Sequence, residues 1–315
     1  ASGMTEVLEV QVPIASRSMT ITAAGADDEL LALGALMLDG IELVGLADDG
    51  EHVATMDQRY FMEQIGQMPG ELFQSIRLGT FTHVYPYAPE QSLEAGPARL
   101  RVATTATSGS IDVRIRFPED DGAAVLHLNL VVVSDSVPDP VPDDFVAEVN
   151  RIFAPAGITV VIDEVVFVRG SSLATITDFS EPQETPSSQS ADLARLGQTL
   201  VDNGRLNLFL VDSLPFGVGG LSLGTPGPPD PASYYFGVVV RYYASPRTLA
   251  RVVAHELGHF LALQHLSNRG VSGADYEDPL SDTMTDDTDN LMSDGIELTP
   301  GQVFALQRSA LLSVQ

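Results

Sequence analysis

The chain has no cysteine and no tryptophan, and its 16 basic residues are all arginine. Without cysteine there are no disulfides, no thiolate metal ligands, no cysteine nucleophile and no cysteine-based latency device. Positive charge is scarce beside 43 acidic residues, and the formal charge of -27 gives the surface a strongly negative field. Nucleic acid and anionic membrane are therefore expected to be poor partners. No apolar run approaches the roughly 18 residues that span a bilayer, so no membrane-spanning segment is expected. What remains is 315 residues with 44% apolar content, enough for about two domains, each with its own core.

Residues 1–122 are short apolar runs broken by Gly, Pro and Asp. Leu31 to Leu38, Asp39-Gly40 and Ile41 to Leu46 predict a hairpin closed by a type I′ turn. A second hairpin is expected from Ala98 to Ala103 and Ile111 to Phe117, the latter alternating apolar and charged positions. These runs predict an antiparallel β-sandwich, with Met56 to Ile65 as a candidate short helix and Pro118 to Gly122 as a linker. Residues 123–315 change pattern. Val125 to Val133, Ile158 to Val168 and Leu206 to Val211 read as strands, alternating with helices over Pro142 to Phe153 and Ser190 to Val201. That order predicts a mostly parallel sheet with helices packed on it, giving an α+β protein of two domains, 1–122 and 123–315.

Arg247 to Leu263 reads as a helix carrying His255-Glu256-Leu257-Gly258-His259, the pattern H-E-x-x-H. Residues four apart share a helix face, so both imidazoles can reach one metal ion while Glu256, 100° round, can touch a water at that ion. His265 follows six residues after His259 and can supply a third ligand if the chain turns back. The pattern alone arises by chance in roughly one chain of this kind in 150, and the third His lowers that to about one in ten thousand. His52, His83 and His127 have no such partners in sequence and read as structural.

With Phe260-Leu261-Ala262-Leu263-Gln264-His265 following, the stretch resembles the signature of the metzincin clan of zinc metallopeptidases, H-E-x-x-H-x-x-G-x-x-H, with Ala262 in the glycine position. The resemblance covers about residues 124–315. It implies a twisted, mostly parallel sheet with one antiparallel edge strand, an active-site helix, a Met-turn and a closing helix. It implies Zn²⁺ on His255, His259 and His265, with Glu256 as general base. Met292, in Asp289-Asn290-Leu291-Met292-Ser293, is the expected Met-turn residue, with Met284 its rival. Asp294 stands where some members have a tyrosine ligand.

Gly217 to Gly227 resembles the clan's glycine-rich edge strand, which makes Gly219, Gly220, Leu221 and Ser222 candidates for binding substrate backbone, and Tyr234 to Tyr243 the strand leading into the helix. Thr299, Pro300 and Gln302 predict the start of a closing helix over Val303 to Leu312. Asp275, Asp278, Asp282, Asp286, Asp287 and Asp289 form an acidic stretch suited to Ca²⁺, although EF-hand spacing is absent.

The function implied is a zinc endopeptidase acting on protein or peptide substrates, secreted to an extracellular or periplasmic space. Three alternatives stay open. The third ligand could be a carboxylate, Glu277 or Asp282 as in gluzincins, or Asp275 or Asp278 as in aspzincins. The chain could be a binding module or adhesin with a structural zinc site. Residues 1–122 could be an inhibitory propeptide in place of an accessory domain.

Overall fold

The computed structural model describes residues 3–26, 29, 31–45, 73–77, 79–105, 109–119, 124–177, 192, 195–196, 204–223, 237–269 and 275–314. Its elements make an α+β protein with two compact units. One unit holds residues 1–120, 265–286 and 300–310; the other holds 121–264, 287–299 and 311–315.

The first unit contains two four-stranded antiparallel sheets. Strands β1 (Leu8–Val12), β3 (Leu31–Leu38), β4 (Ile41–Gly45) and β7 (Gly96–Thr104) lie in the order β1-β7-β3-β4. Strands β2 (Met19–Ala24), β5 (Phe73–Arg77), β6 (Thr80–Tyr85) and β8 (Asp112–Arg116) lie in the order β5-β6-β2-β8. Alternate residues of both sheets meet in one core, with Met19, Ile21 and Phe81 from one and Leu31, Leu33 and Leu36 from the other fully buried. The β3–β4 hairpin turns at Asp39 (φ 45°) and Gly40 (φ 80°), both positive as a type I′ turn requires.

The expected hairpin of residues 98–103 with 111–117 does not form. β7 pairs with β1 and β3, whereas β8 pairs with β2 in the other sheet. Alternation gives each strand one apolar face without naming its neighbour, and both faces here reach the same core from opposite sides. The candidate helix at Met56 to Ile65 lies outside the described residues.

Later segments complete this unit. A short hairpin joins β14 (Ser267–Arg269) to β15 (Asp275–Glu277). In the helix Pro300–Leu306 the Gly301 N–H donates to Asp282 Oδ2 (2.7 Å), and beyond it Ser18 Oγ donates to the Arg308 carbonyl (2.7 Å). The helix stops short of the expected Leu312, because the chain must extend again to form a strand at Ser313–Val314. Asp278 is 7% exposed beside the buried Tyr87, and its Oδ2 has no hydrogen-bond partner.

The second unit is built on a sheet in the order β10 (Ile158–Phe167), β9 (Ala124–Val132), β11 (Leu206–Val211), β13 (Gly237–Arg241), β12 (Gly220–Leu223). The first four are parallel and β12 is an antiparallel edge. β16 (Ser313–Val314) adds antiparallel to the start of β9. Every residue of β11 is buried, as expected of a strand covered on both faces. Phe209 and Val211 point into a cluster with Val131, Leu173, Ile176 and Leu196, and the intervening Leu208 and Leu210 are equally buried on the opposite side.

Helix α1 (Asp144–Phe153) buries Phe145, Val149, Ile152 and Phe153. Its Asn150 exchanges two hydrogen bonds with the backbone of Val160 on β10. Helix α2 (Pro246–Phe260) starts at the Ser245 cap, with Pro246 in its first turn, and packs on α1, β12 and β13. It is this helix that carries the histidines; the helix at Pro300 is α3. The helix expected at 190–201 lies largely outside the described residues, as does much of the polar loop before it.

Candidate metal centre

His255, Glu256 and His259 lie in the last two turns of α2, and the way the helix ends decides where the next residues go. The Ala262 N–H donates to the His259 carbonyl (3.0 Å), and the Leu263 N–H reaches back to the Gly258 carbonyl (2.8 Å). This pair of bonds is a Schellman motif with Ala262 at the position that glycine usually fills. Ala262 is indeed left-handed, with φ 78°, and only 1% exposed. An L-residue held there costs about 1 kcal/mol relative to glycine. The helix therefore ends at Phe260, three residues before the expected Leu263, and the chain doubles back within one turn.

That reversal brings His265 to the other two histidines. One ligand atom from each of His255, His259 and His265 lies within 4.8 Å of the others, and no other group of three or more His, Asp or Glu converges in this way among the described residues. The rings of His255 and His259 stand edge to face, 5.0 Å apart. His255 Nδ1 is 2.7 Å from the Leu291 carbonyl and His259 Nδ1 is 2.9 Å from the Leu263 carbonyl. A carbonyl only accepts, so each Nδ1 carries the proton and each Nε2 keeps its lone pair. Two imidazoles so oriented, joined by His265, suit Zn²⁺, with a fourth position left over for water or substrate.

Glu256 is 7% exposed on the same helix. Burial pushes its carboxyl up to about 7, against the opposing pull of hydrogen bonds from the hydroxyl and backbone of Ser222. Ser222 Oγ lies 2.6 Å from the Glu256 carbonyl and 3.2 Å from Oε2. Gly220 lies closer still, since a Cβ there would stand 2.6 Å from Glu256 Cγ. Strand β12 is thus laid directly on the side chain of Glu256, and among the described residues it pairs only with β13. Gly219 and Leu221 lie on the same segment, with Leu221 packed toward the cluster around Phe209.

Met292 is 2% exposed, and a Cβ on Gly258 would come 3.0 Å from its Sδ. The rival Met284 is 66% exposed. The loop around Met292 is drawn tight by its own backbone. Asn290 Oδ1 accepts from the Met292 N–H (2.9 Å), the Leu291 N–H donates to the Glu297 carbonyl (2.7 Å), and the Ile296 and Glu297 N–H groups both donate to the Asp289 carbonyl. A Cβ on Gly295 would lie 1.8 Å from that carbonyl oxygen. Arg251 Nη1 donates to the carbonyl of Asp294 (3.0 Å) and lies 3.4 Å from its carboxylate. Sequence reading missed the parts played by Gly258, Asn290 and Gly295, although Asp-Asn and Asp-Gly pairs around Met292 are turn signals.

The acidic stretch is not one cluster. Asp278 is buried, Asp282 holds the start of α3, and Asp287 Oδ1 accepts from the Asp289 N–H (3.0 Å). Asp286 and Asp289 are exposed, and the side chain of Asp275 lies outside the described residues. His83 is fully buried in the first unit, His127 pairs with Asp163 (2.9 Å), and His52 is not among the described residues.

No family model and no curated protein matches the chain. Solved structures do. Metalloproteinase-II from Bacteroides fragilis is similar over 60% of this chain and 54% of its own, at 16% identity and a TM-score of 0.36. Archaemetzincin from Methanopyrus kandleri is similar over 59% of this chain and 87% of its own, at 17% identity and a TM-score of 0.32. The match thus spans about half the length of the Bacteroides protein. Similarity this low leaves the reading of function to the residues of the site themselves. Among the described residues no helix is long and apolar enough to cross a membrane.

Proposed function

We propose that the chain is a zinc-dependent endopeptidase of metzincin type, with His255, His259 and His265 as metal ligands, Glu256 as general base and Met292 as the apolar floor of the site. The observation that carries this reading is the convergence of the three histidines at the helix that carries the buried Glu256. Zinc in such a site lowers the pKa of an attacking water toward neutrality and stabilises charge developing on the substrate carbonyl oxygen.

The chain's own residues do the rest. The carbonyls of Leu291 and Leu263 fix the ring orientations of His255 and His259. Glu256 takes the proton from the attacking water and passes it to the leaving amine. Ser222 and Gly220 hold the glutamate side chain from the strand side, and the edge of β12 away from β13, unpaired among the described residues, offers an extended peptide its backbone groups. An enclosed, purely structural zinc site would need a fourth protein ligand, and none joins the three histidines among the described residues. Asp278 and Asp282, the carboxylate candidates whose side chains are described, do not join the histidines.

In this reading residues 1–122 are an accessory β-sandwich and 123–315 the catalytic chain. The two sheets around one core in the first unit are more in keeping with a folded accessory domain than with an inhibitory strap. Secretion belongs to the same proposal.

Incubation with proteome-derived peptides, read by mass spectrometry, tests it. The zinc-loaded protein is expected to cut them and a chelator to stop it. Glu256→Ala is expected to keep stoichiometric zinc and lose at least about a hundredfold in kcat, whereas His259→Ala loses both. Wild-type zinc affinity in His259→Ala would remove the ligand assignment.

A further inference from the structure

Phe216 stands out as a residue whose conformation and exposure are unfavourable together. It lies in the turn Pro215–Gly217, with φ 58° and ψ 13°, followed by Gly217 at φ 73°. The Val218 N–H closes the turn on the Pro215 carbonyl (3.3 Å). Two successive left-handed residues favour Asn or Gly, and a bulky aromatic at the first of them is an outlier. The ring recovers little of that cost by burial, being 87% exposed. Ile14, Ile41 and Met284 are also exposed, but they sit on ordinary backbone, and single exposed apolar side chains are common.

We propose that Phe216 is a specificity-determining residue of the peptidase site, giving an apolar contact to a large apolar side chain of an extended, non-acidic peptide, three or four residues from the bond that is cut. The inference rests on the endopeptidase reading above. Its geometric basis is the position of the turn. Phe216 is four residues before Gly220, the residue of β12 laid on Glu256. At about 3.3 Å per extended residue, four residues reach no further than about 13 Å. A peptide that pairs with β12 and continues three or four residues beyond Gly220 toward Val218 is long enough to reach that turn. The chain's net charge of -27 repels acidic peptides, leaving neutral and basic ones as the class that approaches. Backbone strain retained at an exposed side chain clusters at sites where the side chain meets a ligand.

The test compares cleavage-site profiles of wild type, Phe216→Asn and Phe216→Leu on the peptide library. Wild type is expected to favour a large apolar residue three or four positions to one side of the cut. Phe216→Asn loses that preference, with roughly a tenfold fall in kcat/KM on the best peptide and no change on substrates too short to reach the turn. Phe216→Leu retains most of it. Asn accepts the left-handed backbone, so its Tm is expected to equal or exceed wild type, which separates lost contact from lost folding. Wild-type cleavage with an identical profile in Phe216→Asn overturns this inference and leaves the endopeptidase reading standing. Absence of any chelator-sensitive cleavage overturns both. Phe216-dependent self-association by sedimentation would give the ring a different occupant and overturn the substrate contact.

Discussion

Two turns flank the histidine helix, and they handle awkward backbone in opposite ways. After His259 the chain reverses through Ala262, which adopts φ 78° despite its Cβ. Around Met292 the chain reverses through Gly295, where a Cβ would stand 1.8 Å from the Asp289 carbonyl oxygen. The first cost is torsional and bounded, so a small L-residue can bear it. The second is a collision between backbone atoms that are themselves fixed by hydrogen bonds, and no side chain can be accommodated. A glycine at a left-handed position is thus replaceable in a way that a glycine at a backbone contact is not.

Gly295→Ala is expected to have the largest effect on stability, a loss of about 3 kcal/mol or more in urea denaturation, with metal affinity falling as Leu291 loses its register with His255. If Gly295→Ala were neutral, the contrast between the two turns would collapse.

Asp278 supplies an intermediate case, a cost that solvent can remove. Burial raises its carboxyl from 3.8 to about 7, opposed by the Leu280 N–H and reinforced by Asp282. Below pH 4 the group is protonated whether the chain is folded or not. Between pH 4 and 7 the folded state keeps a proton that the unfolded state has lost, so stability falls as pH rises through that window, by a total on the order of 4 kcal/mol. Asp278→Asn should flatten this part of the stability–pH curve. An unchanged slope would show that Asp278 ionises freely in the folded protein.

Ala262→Gly should raise stability by about 1 kcal/mol and leave zinc stoichiometry at one. Destabilisation by this substitution would mean that the bend does not carry torsional cost. Asp294→Ala should change stability by less than about 0.5 kcal/mol, because the Asp294 side chain is 90% exposed and Arg251 keeps its shorter bond to the carbonyl.

The same contrast explains what the sequence disclosed. H-E-x-x-H was legible because helical periodicity places its members without help from the rest of the chain. The strands of the second unit were legible as unbroken apolar runs, and Leu206 to Val211 matches β11 residue for residue. The Asp39-Gly40 turn was legible because its φ values demand those residue types. Partners across space were not. Alternation in Ile111 to Phe117 fixed a buried face but not the sheet it joins. Ser222 was read as a candidate for meeting substrate backbone, and nothing in the sequence around it told that its hydroxyl lies on Glu256, 34 residues away. Gly295 looked like one loop glycine among 27, since only the folded loop shows what stands beside it.

The pairing of β16 with the start of β9 bears on how the second unit is assembled. β10 covers one side of Ala124 and Val125, but on the other side β11 begins only opposite Leu128. Ser313 and Val314 fill that gap. The first and last strands of this sheet are therefore neighbours, separated by nearly the whole length of the unit. Closing so long a loop is entropically slow. Until it closes, Ala124 and Val125 present unsatisfied backbone along an apolar strand, an invitation to pair with another molecule. Synthesis reaches the histidine helix well before it reaches Val314, so the metal ligands exist in the nascent chain while the sheet beneath them is still open on one side.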